Sequence, residues 1–458
     1  MTESEAKALG YTDNELVRLG YGDGVDATLS NLHTDGTKIY AELNTVSNSA
    51  VNAFAVVAIY DGDTLKAAAP VTIALANGET NEILSAAVPS GIKDTDKVRI
   101  YLWNDTNTMV PLAPVLADIA YGDIATATAI SGEVPCSDGM FSYKGRWEDK
   151  GTYMLSNWTR PYVDFAVKAS ELTVNFGSDT TAKTFKIFIN GKEVYRGSGY
   201  TGTSVDLSSM LASGVNKVRI LNEAETTQLS FSGITVDANA KKLDAPANDI
   251  NVMFIGDSIT SATKGYSYLL PTELGYDFTT ISRSGIAFLD GNYSGTVKEG
   301  ALGMGTKFKQ MQSLDKGNDA YDFAKSENYD MIFVNIGTND IYKATVGGVE
   351  YDKREEFKRE YKNFIGFIAE KHPTAKIYVI KPLRKQSLVD GDNASQNNAY
   401  YRGQTFDEIG KEAGTYGDNV EFIDTTDWDI NFSSTENIHP SASGHDQIKT
   451  KLIDIISK

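Results

Sequence analysis

Near residue 250 the hydrophobic period of this chain changes, and no other feature constrains its fold as tightly. Before that point, short apolar stretches stand between turn dipeptides. Residues 54–60 run into Asp61-Gly62, residues 71–75 into Asn77-Gly78, and residues 183–189 into Asn190-Gly191 followed by 192–195. Such spacing predicts antiparallel hairpins. The stretch 98–103 reads as a strand that includes Tyr101 and Trp103 and runs into the turn-prone Asn104-Asp105. We expect an immunoglobulin-like β-sandwich over residues 1–115, then a connector and a jelly-roll-like β-sandwich over 116–240.

Beyond residue 250, compact β-branched runs at 251–255, 278–281, 331–336, 376–380 and 420–423 alternate with helix-length segments. That alternation predicts an α/β domain with a parallel sheet over 241–458. Phe357, Tyr361, Phe364, Ile365 and Ile368 recur at helical spacing, so one helix there has a single apolar face. The polar stretch 241–248, which contains Pro246, suits a domain boundary.

Charge and composition exclude several classes. The 43 basic and 61 acidic side chains give a net charge of −18, which disfavours nucleic-acid binding. The apolar run 55–60 is far short of the roughly 20 residues that cross a bilayer, so no membrane span is expected. The opening residues have neither a basic nor an apolar stretch, and no secretory signal is visible in them. A single cysteine, Cys136, excludes an internal disulfide framework and a multi-cysteine metal cluster. We expect no cofactor and no metal.

Ligands of open α/β sheets bind beyond the carboxyl ends of the strands, so the residues after each expected strand carry the chemistry. The first strand runs into Gly256-Asp257-Ser258-Ile259-Thr260. Ser258 is there either a nucleophile or an ordinary helix-capping serine. The second strand leads to Ser282-Arg283-Ser284-Gly285-Ile286, where Gly285 can bring its N–H close to a bound oxygen. The third is followed by Gly337-Thr338-Asn339-Asp340, whose asparagine amide is a donor or a turn residue. Near the end, His439-Pro440 precedes an apolar-periodic helix, on a loop from which a base can reach the sheet edge. Of the four histidines, His33 and His372 read as structural and His445 as partly solvated. His439 and His445 lack the acidic or cysteine partners that a metal pair would need.

These four ordered blocks resemble the SGNH/GDSL hydrolase superfamily over residues 250–458. The resemblance implies Ser258 as nucleophile, His439 as general base, and the Ser258 N–H, Gly285 N–H and Asn339 side chain as oxyanion hole. It also implies Asp257 and Asp340 as supports of their loops. Where the family has an aspartate three residues before the histidine, this chain has Glu436; some relatives work with a Ser–His pair and a backbone carbonyl instead. The middle region, with 141–147, Trp158 and 187–192, is similar to the β-sandwich that precedes the catalytic domain in carbohydrate esterase family 2. That narrower likeness implies a serine esterase that removes O-acetyl groups from plant-type polysaccharides or oligosaccharides, secreted or on a bacterial surface. The alternatives are a lipase or thioesterase of the same superfamily, and a non-catalytic surface protein that binds glycans. Trp428 would either line the sugar site or pack on the sheet, while Trp147 and Trp158 read as sandwich core. A Gly-x-Ser-x-Gly elbow is absent from the sequence, which disfavours the α/β-hydrolase type.

Overall fold

The strand Lys97–Trp103 shows what shapes the first unit: Val98, Ile100 and Leu102 are fully buried, while the residues between them are half-buried on the opposite face. A computed structural model describes residues 25–104, 107–177, 181–313, 319–346, 349–383, 394–433 and 438–458. In it the first unit has two four-stranded sheets. One orders Gly78–Ala87, Lys38–Ser47, Val25–Thr34 and Ala125–Thr126; the other orders Thr64–Leu75, Val51–Asp61, Lys97–Trp103 and Ala117–Ala120. Ile39, Leu43, Val57, Ile59, Leu84 and Ile100 share the core of this unit. Its sheets continue to Thr126, past the boundary expected at 115, because edge strands of four and two residues are too short to show a period.

The second unit also has two sheets, largely antiparallel, around Phe165, Phe185, Ile187, Phe231 and Ile234. Its hairpin Lys183–Ile189 and Lys192–Tyr200 turns through Asn190 and Gly191, with φ of 50° and 78°. Positive φ at both central residues is what a two-residue connection matched to strand twist requires. Lys241–Leu243 pairs with Tyr162–Lys168 and so completes this unit instead of opening the third, as the boundary at 240 had implied. The two lysines read as linker because their ammonium groups reach Asp35 and Asp138, each at 2.7 Å. Thr128–Ala129 pairs with Lys241–Leu243, so along the chain a single residue, Ala127, separates the strands of the first two units. That residue is buried with Ala166, Val215 and Leu243.

In the third unit the strands order as Asp277–Ser282, Asn251–Gly256, Met331–Asn335, Lys376–Ile380 and Val420–Ile423, all parallel. Alternate residues feed two cores. Met253, Ile255, Ile332 and Val334 face the helix Arg354–Lys371, which buries Phe357, Tyr361, Phe364, Ile365 and Ile368. Val252, Phe254 and Phe333 face the helices Tyr266–Leu274 and Ala442–Ile456. The second sandwich is fused to both cores: Trp158 joins the first, Tyr162 and Leu221 the second. Trp147 lies in the sandwich core as expected, but Trp158 belongs to its neighbour's core, its indole N–H donating to Met311 O at 2.8 Å. The chain leaves the first parallel strand toward one edge and returns on its other side, which opens a crevice beyond Gly256.

Candidate active site

Gly256 ends the first strand where a Cβ would lie 2.6 Å from Asn335 O, so only glycine lets the chain turn there. Asp257 caps the short helix Ser258–Ser261, its Oδ1 accepting the Ile259 N–H at 3.0 Å. Because Asp257 is the cap, the Ser258 hydroxyl is released from that role. It lies 2.7 Å from His439 Nε2, and both residues are half-buried.

The histidine loop is held by its own backbone. Ser433 N–H donates to His439 O at 3.0 Å, Ser441 N–H to Asn431 O at 2.8 Å, and Ser441 Oγ caps the last helix by accepting Gly444 N–H at 3.1 Å. In the loop after the strand Asp277–Ser282, Gly285 has φ of 74°, and a Cβ there would collide with Ser294 Oγ and lie 2.8 Å from the Tyr293 ring. Asn339 is tied to the same loop: its Nδ2 donates to Ile286 O at 3.0 Å, which leaves its second amide hydrogen for another acceptor.

Asp340 is fully buried and accepts the N–H groups of Phe288 at 2.7 Å and Leu289 at 2.8 Å, fixing the chain just after Gly285. Burial pushes its pKa up to about 7, against those two bonds and the nearby Arg402 guanidinium. Asp257, also fully buried, is pushed up to about 6 by burial, with its bond to Ile259 opposing. Both aspartates support loops at the crevice, and neither meets solvent.

The remaining candidates separate from this group. Glu436 lies outside the described residues. Trp428 is half-buried and packs on the core that contains Ile423, Ile430 and Ile448, so it joins the sheet packing rather than the hydrogen-bonded cluster around Ser258. His445 corrects the expectation of partial solvation: it is 6% exposed, and its Nδ1 accepts the Tyr266 N–H at 3.4 Å. Burial, and then the Arg160 guanidinium, pull its pKa down to about 4. His372 is buried beside Tyr329 and is likewise lowered to about 4 by burial, and His33 stacks on Tyr40. Among the described residues no group of three or more His, Cys, Asp or Glu side chains could hold a metal ion.

Sequence reasoning missed the second sandwich's share of this site. Thr159 reaches the end of the strand Asp277–Ser282, Arg160 reaches the turn after the strand Asn251–Gly256, and Glu225 accepts the Ser284 N–H at 2.8 Å. No motif marks them; the only local signal is a polar run, Asn157 to Arg160, buried around Trp158.

Residues 254–447 match the GDSL-like lipase/acylhydrolase family, and residues 143–246 match the carbohydrate esterase 2 N-terminal family. The chain is 24% identical to an acetylxylan esterase/glucomannan deacetylase of Cellvibrio japonicus, over 47% of this chain and 64% of that protein's length. In structure it is similar to an active-site mutant of a family two carbohydrate esterase from Clostridium thermocellum. That likeness has a TM-score of 0.55 and 19% identity, over 70% of this chain and 98% of the other. An acetyl xylan esterase from the rumen bacterium Butyrivibrio proteoclasticus gives 0.54 and 20%, over 70% and 96%. At these identities the structural likeness is one of fold.

Proposed function

We infer, from a chain that joins a GDSL-like acylhydrolase domain to a carbohydrate esterase 2 N-terminal domain, that it removes O-acetyl groups from plant-type polysaccharides or oligosaccharides. The observation that carries this reading is the 2.7 Å contact between Ser258 Oγ and His439 Nε2, at the carboxyl end of the first parallel strand. In this reading the hydroxyl attacks the acetyl carbon while His439 takes its proton. Charge develops on the carbonyl oxygen and is met by the N–H groups of Ser258 and Gly285 and the free amide hydrogen of Asn339. His439 then returns the proton to the departing sugar oxygen, leaving acetyl on Ser258. Water repeats the sequence and releases acetate.

Glu436, three residues before the base, is the acid that orients the imidazole in this reading. Glu436→Gln would then lose turnover by about 10⁴-fold, whereas a few-fold loss would leave a Ser–His pair at work. The two β units are read as an immunoglobulin-like and a jelly-roll-like sandwich, supported by the paired sheets of each. The protein is assigned to the outside of the cell, where such polymers occur. The test is acetate release from acetylated xylan, acetylated glucomannan and simple sugar acetates, with Ser258→Ala alongside. Release by the parent and none by the variant supports the reading; a preference for octanoate over acetate esters would favour a lipase.

A further inference from the structure

The second sandwich reaches into the turn that carries Ser258. Asn157, Trp158, Thr159 and Arg160 are each at most 2% exposed, all against the α/β unit. The Arg160 guanidinium donates to Ser261 O at 2.9 Å, to Ala262 O, and to Ser267 Oγ at 3.1 Å. Ser267 in turn donates to Thr260 O at 2.5 Å. These carbonyls lie at the carboxyl end of the helical turn Ser258–Ser261, where a cation complements the exposed backbone oxygens. Arg160 also has φ of 52°, a left-handed conformation that a bulky residue keeps only where its surroundings over-determine it.

The same sandwich holds the glycine loop. Thr159 Oγ1 donates to Ser282 O at 2.8 Å, at the end of the strand that leads into that loop. Glu225 accepts the Ser284 N–H at 2.8 Å, one residue before Gly285. Asn157 binds Ser313 through its N–H at 2.8 Å and its hydroxyl at 2.6 Å, and the Ser313 carbonyl accepts from Arg283 at 2.8 Å.

We propose that Arg160 and Glu225 are positioning residues: the sandwich aims the Ser258 hydroxyl and the Gly285 N–H at one point, so the catalytic centre is built by two units. Some contacts across this interface only join the units. Lys144, for example, pairs with Asp277 at 3.3 Å and Glu327 at 3.2 Å and bonds neither the nucleophile turn nor the glycine loop. The inference rests on the serine-esterase reading above. Misplacement of reacting groups by about 1 Å costs on the order of 10²-fold, which is the scale that a loosened Arg160 should show.

The test uses the full chain with 4-nitrophenyl acetate, the rate at which a serine-directed phosphonate labels Ser258, and Tm. Arg160→Lys keeps the charge but loses the fork, and should lower kcat and the labelling rate together by about 10²-fold with little change in KM. Glu225→Ala should lower both about 10-fold at nearly parental Tm, and Glu225→Gln, which still offers an oxygen to Ser284, should recover most of that loss. Lys144→Gln should lower Tm and leave kcat in place. If Arg160→Lys does not fold, the Glu225 pair decides. Parental kcat and labelling in Glu225→Ala, or losses that merely follow Tm as in Lys144→Gln, overturn the proposal. Parental turnover in Ser258→Ala would overturn the esterase reading itself, and this inference with it.

Discussion

Ser258 Oγ and His439 Nε2 lie 2.7 Å apart although 181 positions separate them in the chain. Neither could be placed there by local structure. One stands after the first parallel strand, the other on the loop before the last helix, and the sheet brings the two ends to one rim. Ser258→Ala and His439→Gln should each lower turnover of an acetyl ester by about 10⁴-fold or more, and both together by little beyond the worse of the two. Steady-state kinetics on the three variants checks this; additive losses would mean that the pair does not act as a unit.

On the proposed reading Asn339 donates to the developing charge, so in Asn339→Ala kcat should fall by about 10²–10³-fold while KM changes little. Because Asn339 also binds Ile286 O, a small loss of Tm accompanies it. A rise in KM with unchanged kcat would assign the amide to ground-state binding.

Gly285→Ala should lose both stability and rate. Positive φ costs an alanine roughly 1–2 kcal/mol, and its methyl group would push on Ser294 and Tyr293. Urea unfolding and kcat, measured together, should both shift.

Asp340 gives a dependence on pH whose sign follows from burial. Its pKa is about 7 in the folded protein, against 3.8 for an ordinary aspartate. Between these values the unfolded chain ionises first, so the contribution of this group to stability falls as pH rises from about 4 to 7. Asp340→Asn is never charged. The difference in unfolding free energy between parent and variant should therefore shrink across that window, read from urea titrations at its two ends.

His445 has the opposite sign. Its folded pKa is about 4 against 6.5, so its contribution is present above pH 6.5 and is lost as pH falls toward 4. His445→Gln should reduce the acid-side slope of unfolding free energy by up to about 1.4 kcal/mol per pH unit, relative to the parent. An unchanged slope would show that the imidazole is protonated where it is packed.

Much of this architecture could be read directly from residue order. Five apolar positions between 357 and 368 specify the helix Arg354–Lys371 because a helical period leaves them on one face. Asn190-Gly191 specifies its hairpin through backbone conformation alone. Ser258, Gly285 and Asn339 could be singled out as candidates because residues that follow parallel strands gather at one edge, and His439 through the resemblance that the four ordered blocks carry. What escaped was set by contacts remote in sequence. Trp158 looks like sandwich core until the neighbouring unit is present, and His445 looks solvated until Tyr266 covers it. Arg160 meets Ser261 across 101 positions, and nothing near Arg160 in the sequence announces its partner.

Ala127 has a consequence for how the molecule can be handled. The two residues before it complete a sheet of one sandwich, and the two after it pair in a sheet of the next. One residue between two paired strands leaves little length by which the two units could separate. Dissecting the gene at this point would fray an edge on either side.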